Sequence, residues 1–77
     1  MRGRDGTLWE ARVYGQPFDN TWEGWLEFSN PLHGSMRTAR ETTQPDAADL
    51  SYWATGLEPT YLDGALTRAE RLAAHVG

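Results

Sequence analysis

The segment Trp22-Glu23-Gly24-Trp25-Leu26-Glu27-Phe28 limits what this chain can become more than any other stretch, because it sorts into two unlike faces. Side chains alternate sides along a strand. Trp22, Gly24, Leu26 and Phe28 therefore share one face, and Glu23, Trp25 and Glu27 share the other. The first is a core face. The second sets one indole between two carboxylates, toward solvent or a partner. A ribbon of this kind folds only if another layer seals its apolar side.

The rest of the chain supplies that layer. With 77 residues it is expected to form a single domain, 1–77, near the lower limit for folding on one core. Four tryptophans matter at this size, since each buried large aromatic removes roughly 150–250 Å² from water. The absence of cysteine excludes disulfides, thiolate zinc sites and thiol catalysis. No apolar run is long enough to span a membrane. The start, Met1-Arg2-Gly3-Arg4-Asp5-Gly6, has no apolar stretch after its basic residues and does not read as a signal peptide. Residues 1–6 are expected to be disordered, and residence is expected to be cytoplasmic.

Three extended segments come first. Thr7–Tyr14 alternates, with Trp9, Ala11 and Val13 on one side and Leu8, Glu10, Arg12 and Tyr14 on the other. The turn formers Gly15-Gln16-Pro17-Phe18-Asp19-Asn20 lead into a strand over Thr21–Ser29. Asn30–Gly34 is a second turn, followed by a third strand over Ser35–Thr43 with no decisively apolar side. That pattern suits an edge strand. Leu50, Trp53, Ala54 and Leu57 then mark one helical stripe, with Pro45 in its first turn and Gly56 as a left-handed cap. Leu62, Ala65, Leu66, Ala69, Leu72, Ala73 and Val76 mark a second helix, capped by Thr60 with Asp63. The expected fold is α+β: a three-stranded antiparallel meander followed by two helices packed on one face, β-β-β-α-α. Gly24, on the core face, leaves a slot for a helix side chain, with Trp53 the expected occupant.

Little in the chain suggests catalysis. His33 and His75 are isolated, with no metal-ligand spacing and no phosphate-binding glycine loop. His33 and Ser35 lack a third residue to orient them. Glu23 and Glu27 stand about 13 Å apart along a strand, too far for paired-carboxylate glycoside hydrolysis. The reading is therefore not an enzyme, with no cofactor, no metal and no catalytic residue. What remains is the outer sheet face, where Arg12 and Tyr14 of the first strand join Glu23, Trp25 and Glu27. Two uses suit it. Arg12 can bridge a glutamate and lie on Trp25 as cross-strand support, or Trp25, Tyr14 and Arg12 can form a recognition surface.

These residues imply a small interaction or regulatory module with an unidentified protein partner. A homodimer through the apolar stripe of the C-terminal helix is a further expectation. All seven cations are arginine, a bias that GC-rich bacterial coding tends to produce. The net charge of −4 argues against nucleic acid. The alternative, a nucleic-acid-associated accessory protein, would use Arg2, Arg4, Arg12, Arg37 and Arg40 locally.

Trp22–Phe28, Arg40-Glu41-Thr42-Thr43-Gln44-Pro45, Tyr52-Trp53-Ala54 with Gly56-Leu57, and Tyr61-Leu62 with Gly64-Ala65-Leu66 together resemble a family of small bacterial proteins of uncharacterised function, from Trp9 to Ala69. That resemblance implies no activity, cofactor or site residue. The β-β-β-α start is also similar to the partial ribonuclease-like domain of antitoxins in the HicB group, without the DNA-binding segment that a repressor would need.

Overall fold

The central strand of the sheet pairs with every other strand, which sets the whole architecture. A computed structural model describes residues 1–76; the side chain of Val76 and all of Gly77 lie outside the described residues. In chain order the elements are β1 (Glu10–Phe18), β2 (Thr21–Asn30), β3 (Gly34–Arg37), β4 (Thr42–Gln44), α1 (Ala47–Thr55) and α2 (Pro59–Val76). β1 runs antiparallel along one side of β2, and β3 and β4 share the other side. The molecule is thus α+β with an antiparallel sheet before two helices, but the expected third strand is two.

The split has a local cause. Arg37 stands opposite Glu27 and Thr42 opposite Gly24, so four residues, 38–41, bulge across from Trp25 and Leu26. Thr38 keeps the ladder closed through this bulge. Its backbone N–H donates to Leu26 O at 2.9 Å, while its Oγ1 accepts from Leu26 N–H at 3.1 Å. A side-chain hydroxyl thus stands in for a missing carbonyl, and Glu41 N–H resumes the ladder on Gly24 O at 2.8 Å.

The first hairpin also differs from expectation. β1 continues through Gly15-Gln16-Pro17 to Phe18, and only Asp19 and Asn20 form the loop. A two-residue hairpin loop requires a left-handed residue, and Asp19 supplies it at φ 52°. Pro17 does not break the strand, because β1 is an edge. Leu26 and Gly24 turn their backbone groups toward the bulge, so Trp22, two residues along, turns the same way and leaves its partner Pro17 facing the open edge. Ahead of β1, Arg2 bridges Leu8, and Met1 N and O bond to Trp9 O and N at 2.6 and 2.7 Å. These contacts fold residues 1–6 back along the start of β1.

Both helices cover the face of Leu26 and Phe28, which are 1% and 0% exposed. Ala65, Leu66 and Ala69 of α2 pack directly onto that pair, with Ala11, Val13 and Met36 at the margin. Each fully buried large side chain of this kind contributes about 1.5–3 kcal/mol. The slot at Gly24 exists, but Leu50 fills it, not Trp53. Gly15 and Gly24 are register partners, and a Cβ on Gly24 would meet Leu50 Cδ1 at 2.5 Å and Thr42 Cγ2 at 3.0 Å. A Cβ on Gly15 would collide with Leu50 Cδ2. The two glycines form a socket for one leucine, and this anchors α1. Trp53 instead meets Tyr61 of α2 edge-on, centroids 6.0 Å apart at 89°.

The helix ends follow ordinary chemistry with three corrections, the first being that Pro45 precedes the N-cap and lies outside α1, which begins at Ala47. Asp46 caps α1, its carboxylate accepting from Asp49 N–H at 2.8 Å. Gly56 closes α1 at φ −91°, not left-handed. α2 starts on Pro59, as proline favours at the first helical position, and Glu58 O accepts from Leu62 N–H at 3.0 Å. Thr60 therefore lies inside the helix and does not cap it.

Candidate functional site

Neither helix covers the other sheet face, and the five residues singled out there converge in adjoining rows. Arg12 is opposite Glu27, Tyr14 opposite Trp25, and Gln16 opposite Glu23. The alternation of β2 places them on the side away from Leu26 and Phe28. Trp25 is half-buried rather than bare, because Tyr14 stacks beside it with centroids 6.2 Å apart and planes 17° from parallel.

The cation on Trp25 is Arg37, not Arg12. The Arg37 guanidinium carbon sits 4.3 Å from the indole centroid, and its Nε donates to Thr38 O at 3.1 Å. Arg12 turns along its own strand, its Nη2 2.8 Å and its Nε 3.1 Å from Glu10 Oε1. That bond and the neighbouring negative charge push the Arg12 pKa up. Glu23 is 17% exposed and lies 3.5 Å from Arg40 Nη1. Glu27 is flanked in register by Arg12 on one side and Arg37 on the other.

The result is a cluster of Tyr14, Trp25 and Arg37 drawn from three strands, Arg37 reaching over Trp25 from the neighbouring Arg12–Glu27 row, bordered by carboxylates. Arg37 and Arg40 were missing from the candidate face read in the sequence. Strand three has no apolar side to fix its phase, and the bulge at 38–41 changes the register beyond Arg37.

A second polar cluster lies behind the sheet. The bulge aims Glu41 at α2, where Arg68 Nη2 and Nε fork onto its two oxygens at 2.6 and 3.0 Å. Tyr61 OH donates to Glu41 Oε1 at 2.6 Å, and the Arg68 guanidinium lies over the Tyr61 ring at 5.4 Å. Glu41 is 8% exposed. Burial alone would raise its pKa, but the Arg68 fork and the Tyr61 hydroxyl outweigh that and hold it below the ordinary glutamate value. Burial and the Glu41 bond push Tyr61 up. This is a latch between bulge and helix, with both carboxylate oxygens already used.

His75 shares a groove with Arg40, Glu41 and Arg68 near the end of α2, whereas His33 stays apart from both clusters. His33 lies in the β2–β3 turn, its backbone N–H on Asn30 Oδ1 at 3.0 Å and its ring 6.0 Å from Trp9. Among the described residues no group of three or more metal-ligating side chains comes together. No helix there is long and apolar enough to cross a membrane. Toward the C-terminus of α2, Leu72 is 38% exposed and Ala73 is exposed. Compared with protein-family models, curated proteins and solved structures, the chain gives no match.

Proposed function

We propose that this chain is a small cytoplasmic interaction module that binds a protein partner through the sheet face centred on Trp25. One observation carries the reading: the Tyr14–Trp25–Arg37 cluster lies on the face that the helices leave open. Tryptophan, tyrosine and arginine dominate interface hot spots because they offer large rigid area with directed polar groups. Here the bond to Thr38 O and the indole beneath hold the Arg37 guanidinium before any partner arrives, so little ordering entropy remains to be lost. Its terminal nitrogens suit a carboxylate on the partner. Glu10, Glu23 and Glu27 on the same face oppose a polyphosphate backbone, which ranks the nucleic-acid reading below this one.

Capture of binding proteins from a lysate by wild type, Trp25→Ala and Arg37→Gln tests it, each variant shown to be folded by circular dichroism. Glu70→Ala, exposed on α2 and outside both this face and the corner between the helices, is the control. A partner kept by the control and weakened at least about 30-fold by Trp25→Ala supports the reading. Identical profiles for all four proteins would remove it.

A further inference from the structure

On the opposite side of the molecule, the corner where α1 gives way to α2 holds an aromatic cleft of about 570 Å³. Trp53 and Tyr61 stand at 89° to each other and make two of its walls, with Leu57 beside them. Tyr52, 81% exposed, forms an outer wall. Asp49 and Glu58 bring two carboxylates to the lining, to which no arginine or histidine contributes among the described residues. Neither carboxylate takes part in an ion pair among those residues. Packing does not require Tyr52 to be aromatic, since its ring is almost wholly in water.

Aromatic faces carry negative potential and attract cations, most strongly where carboxylates add to the field. The molecule already shows how this combination is filled. Arg68 forks onto Glu41 while lying over the Tyr61 ring, and Arg37 lies over Trp25. The cleft repeats that pairing of ring and carboxylate with no guanidinium of the chain's own in its lining. We infer that the cleft between α1 and α2 is a guanidinium-binding site, with the ligand cation against Trp53 and Tyr52 and its N–H groups on Asp49 and Glu58. A guanidinium fits better than a quaternary ammonium, because the carboxylates require N–H donors and a planar fork meets them two at a time. The site lies on the helical side, away from the Trp25 face, and stands or falls independently of it.

The test is an amide and indole N–H titration by NMR of the full chain with Nα-acetyl-argininamide and with the pentapeptide Gly-Gly-Arg-Gly-Gly. Nα-acetyl-lysinamide and tetramethylammonium serve as comparisons. Saturable shifts centred on the Trp53 indole, Gly56 and Leu57 are expected with the arginine ligands. Tyr52→Ala should weaken them about fivefold, the loss of one exposed cation–π contact. Glu58→Gln should weaken them by a similar factor, and both losses should shrink at high salt. Equal affinity of the two arginine ligands points to a free guanidinium compound, and a clear advantage for the pentapeptide points to an arginine within a protein; both support the site. Shifts that fail to saturate, that spread away from the cleft, that are matched by lysinamide or tetramethylammonium, or that survive both substitutions would overturn it.

Discussion

The socket that holds α1 can be tested by crowding it. Gly24→Ala would place a methyl carbon 2.5 Å from Leu50 Cδ1, against an optimal carbon–carbon separation of about 3.5–4.0 Å. Leu50 cannot simply rotate aside, because its other methyl is already against Gly15. α1 must lift by about 1 Å, an overpacking penalty of about 1–3 kcal/mol. Alanine recovers about 0.5 kcal/mol of the backbone entropy that glycine loses in a strand, leaving a net destabilisation near 1.5 kcal/mol. Leu50→Ala alone should cost about 2–5 kcal/mol through its cavity. In that background only the 3.0 Å approach to Thr42 Cγ2 remains, and the entropy gain of about 0.5 kcal/mol offsets it, so Gly24→Ala should be close to neutral. The two substitutions should therefore couple by about 1.5 kcal/mol, well above the additivity error of about 0.5 kcal/mol. Urea unfolding followed by tryptophan fluorescence reads this directly. At an m-value of about 1–2 kcal/mol/M, Gly24→Ala should lower the midpoint by about 1 M in the wild-type background and not at all beside Leu50→Ala. Additive losses, or a harmless Gly24→Ala in the wild type, would refute the socket and return the slot to another side chain.

Thr38→Val keeps the shape of the bulge but leaves the buried Leu26 N–H without an acceptor, so thermal unfolding should show a loss of about 1–3 kcal/mol, or at least about 4 °C in Tm. Glu41→Gln should destabilise by about 1–3 kcal/mol at pH 7, because Arg68 loses its charged partner. The folded pKa of Glu41 lies below its ordinary 4.5, so the carboxylate's contribution is fully present above that value and fades as pH falls through 4.5 toward the folded value. Wild type and Glu41→Gln should thus converge in stability on acidification, and a constant gap in denaturant melts from pH 7 to 3 would count against the latch. Where the end of α2 supports self-association, sedimentation at rising concentration should show a dimer that Leu72→Glu abolishes; a monomer at all concentrations would leave that stripe simply exposed.

The alternation in β2 was decisive on its own. A period of two with Trp22, Leu26 and Phe28 in phase admits one buried side and one open one, whatever packs against it. The helical periodicities of 50–57 and 62–73 likewise identified two helices, and Leu50, Ala65, Leu66 and Ala69 are their buried residues. The five residues of the outer face share one sheet surface for the same reason: hairpin pairing preserves side-chain parity. Other features depended on partners distant in sequence. Gly15 and Pro17 look like turn residues locally, yet as part of an edge strand their lost side chain and lost N–H are harmless, and Gly15 is needed opposite Gly24. The break in the third strand arises where a threonine hydroxyl replaces a carbonyl, which no local pattern announces. Which arginine lies on Trp25, and which leucine fills the glycine slot, was settled by register between strands and the seat of α1. Local sequence specifies periodicity and parity, because those follow from backbone geometry; the identity of neighbours follows from how separate segments pack, and that belongs to the tertiary structure.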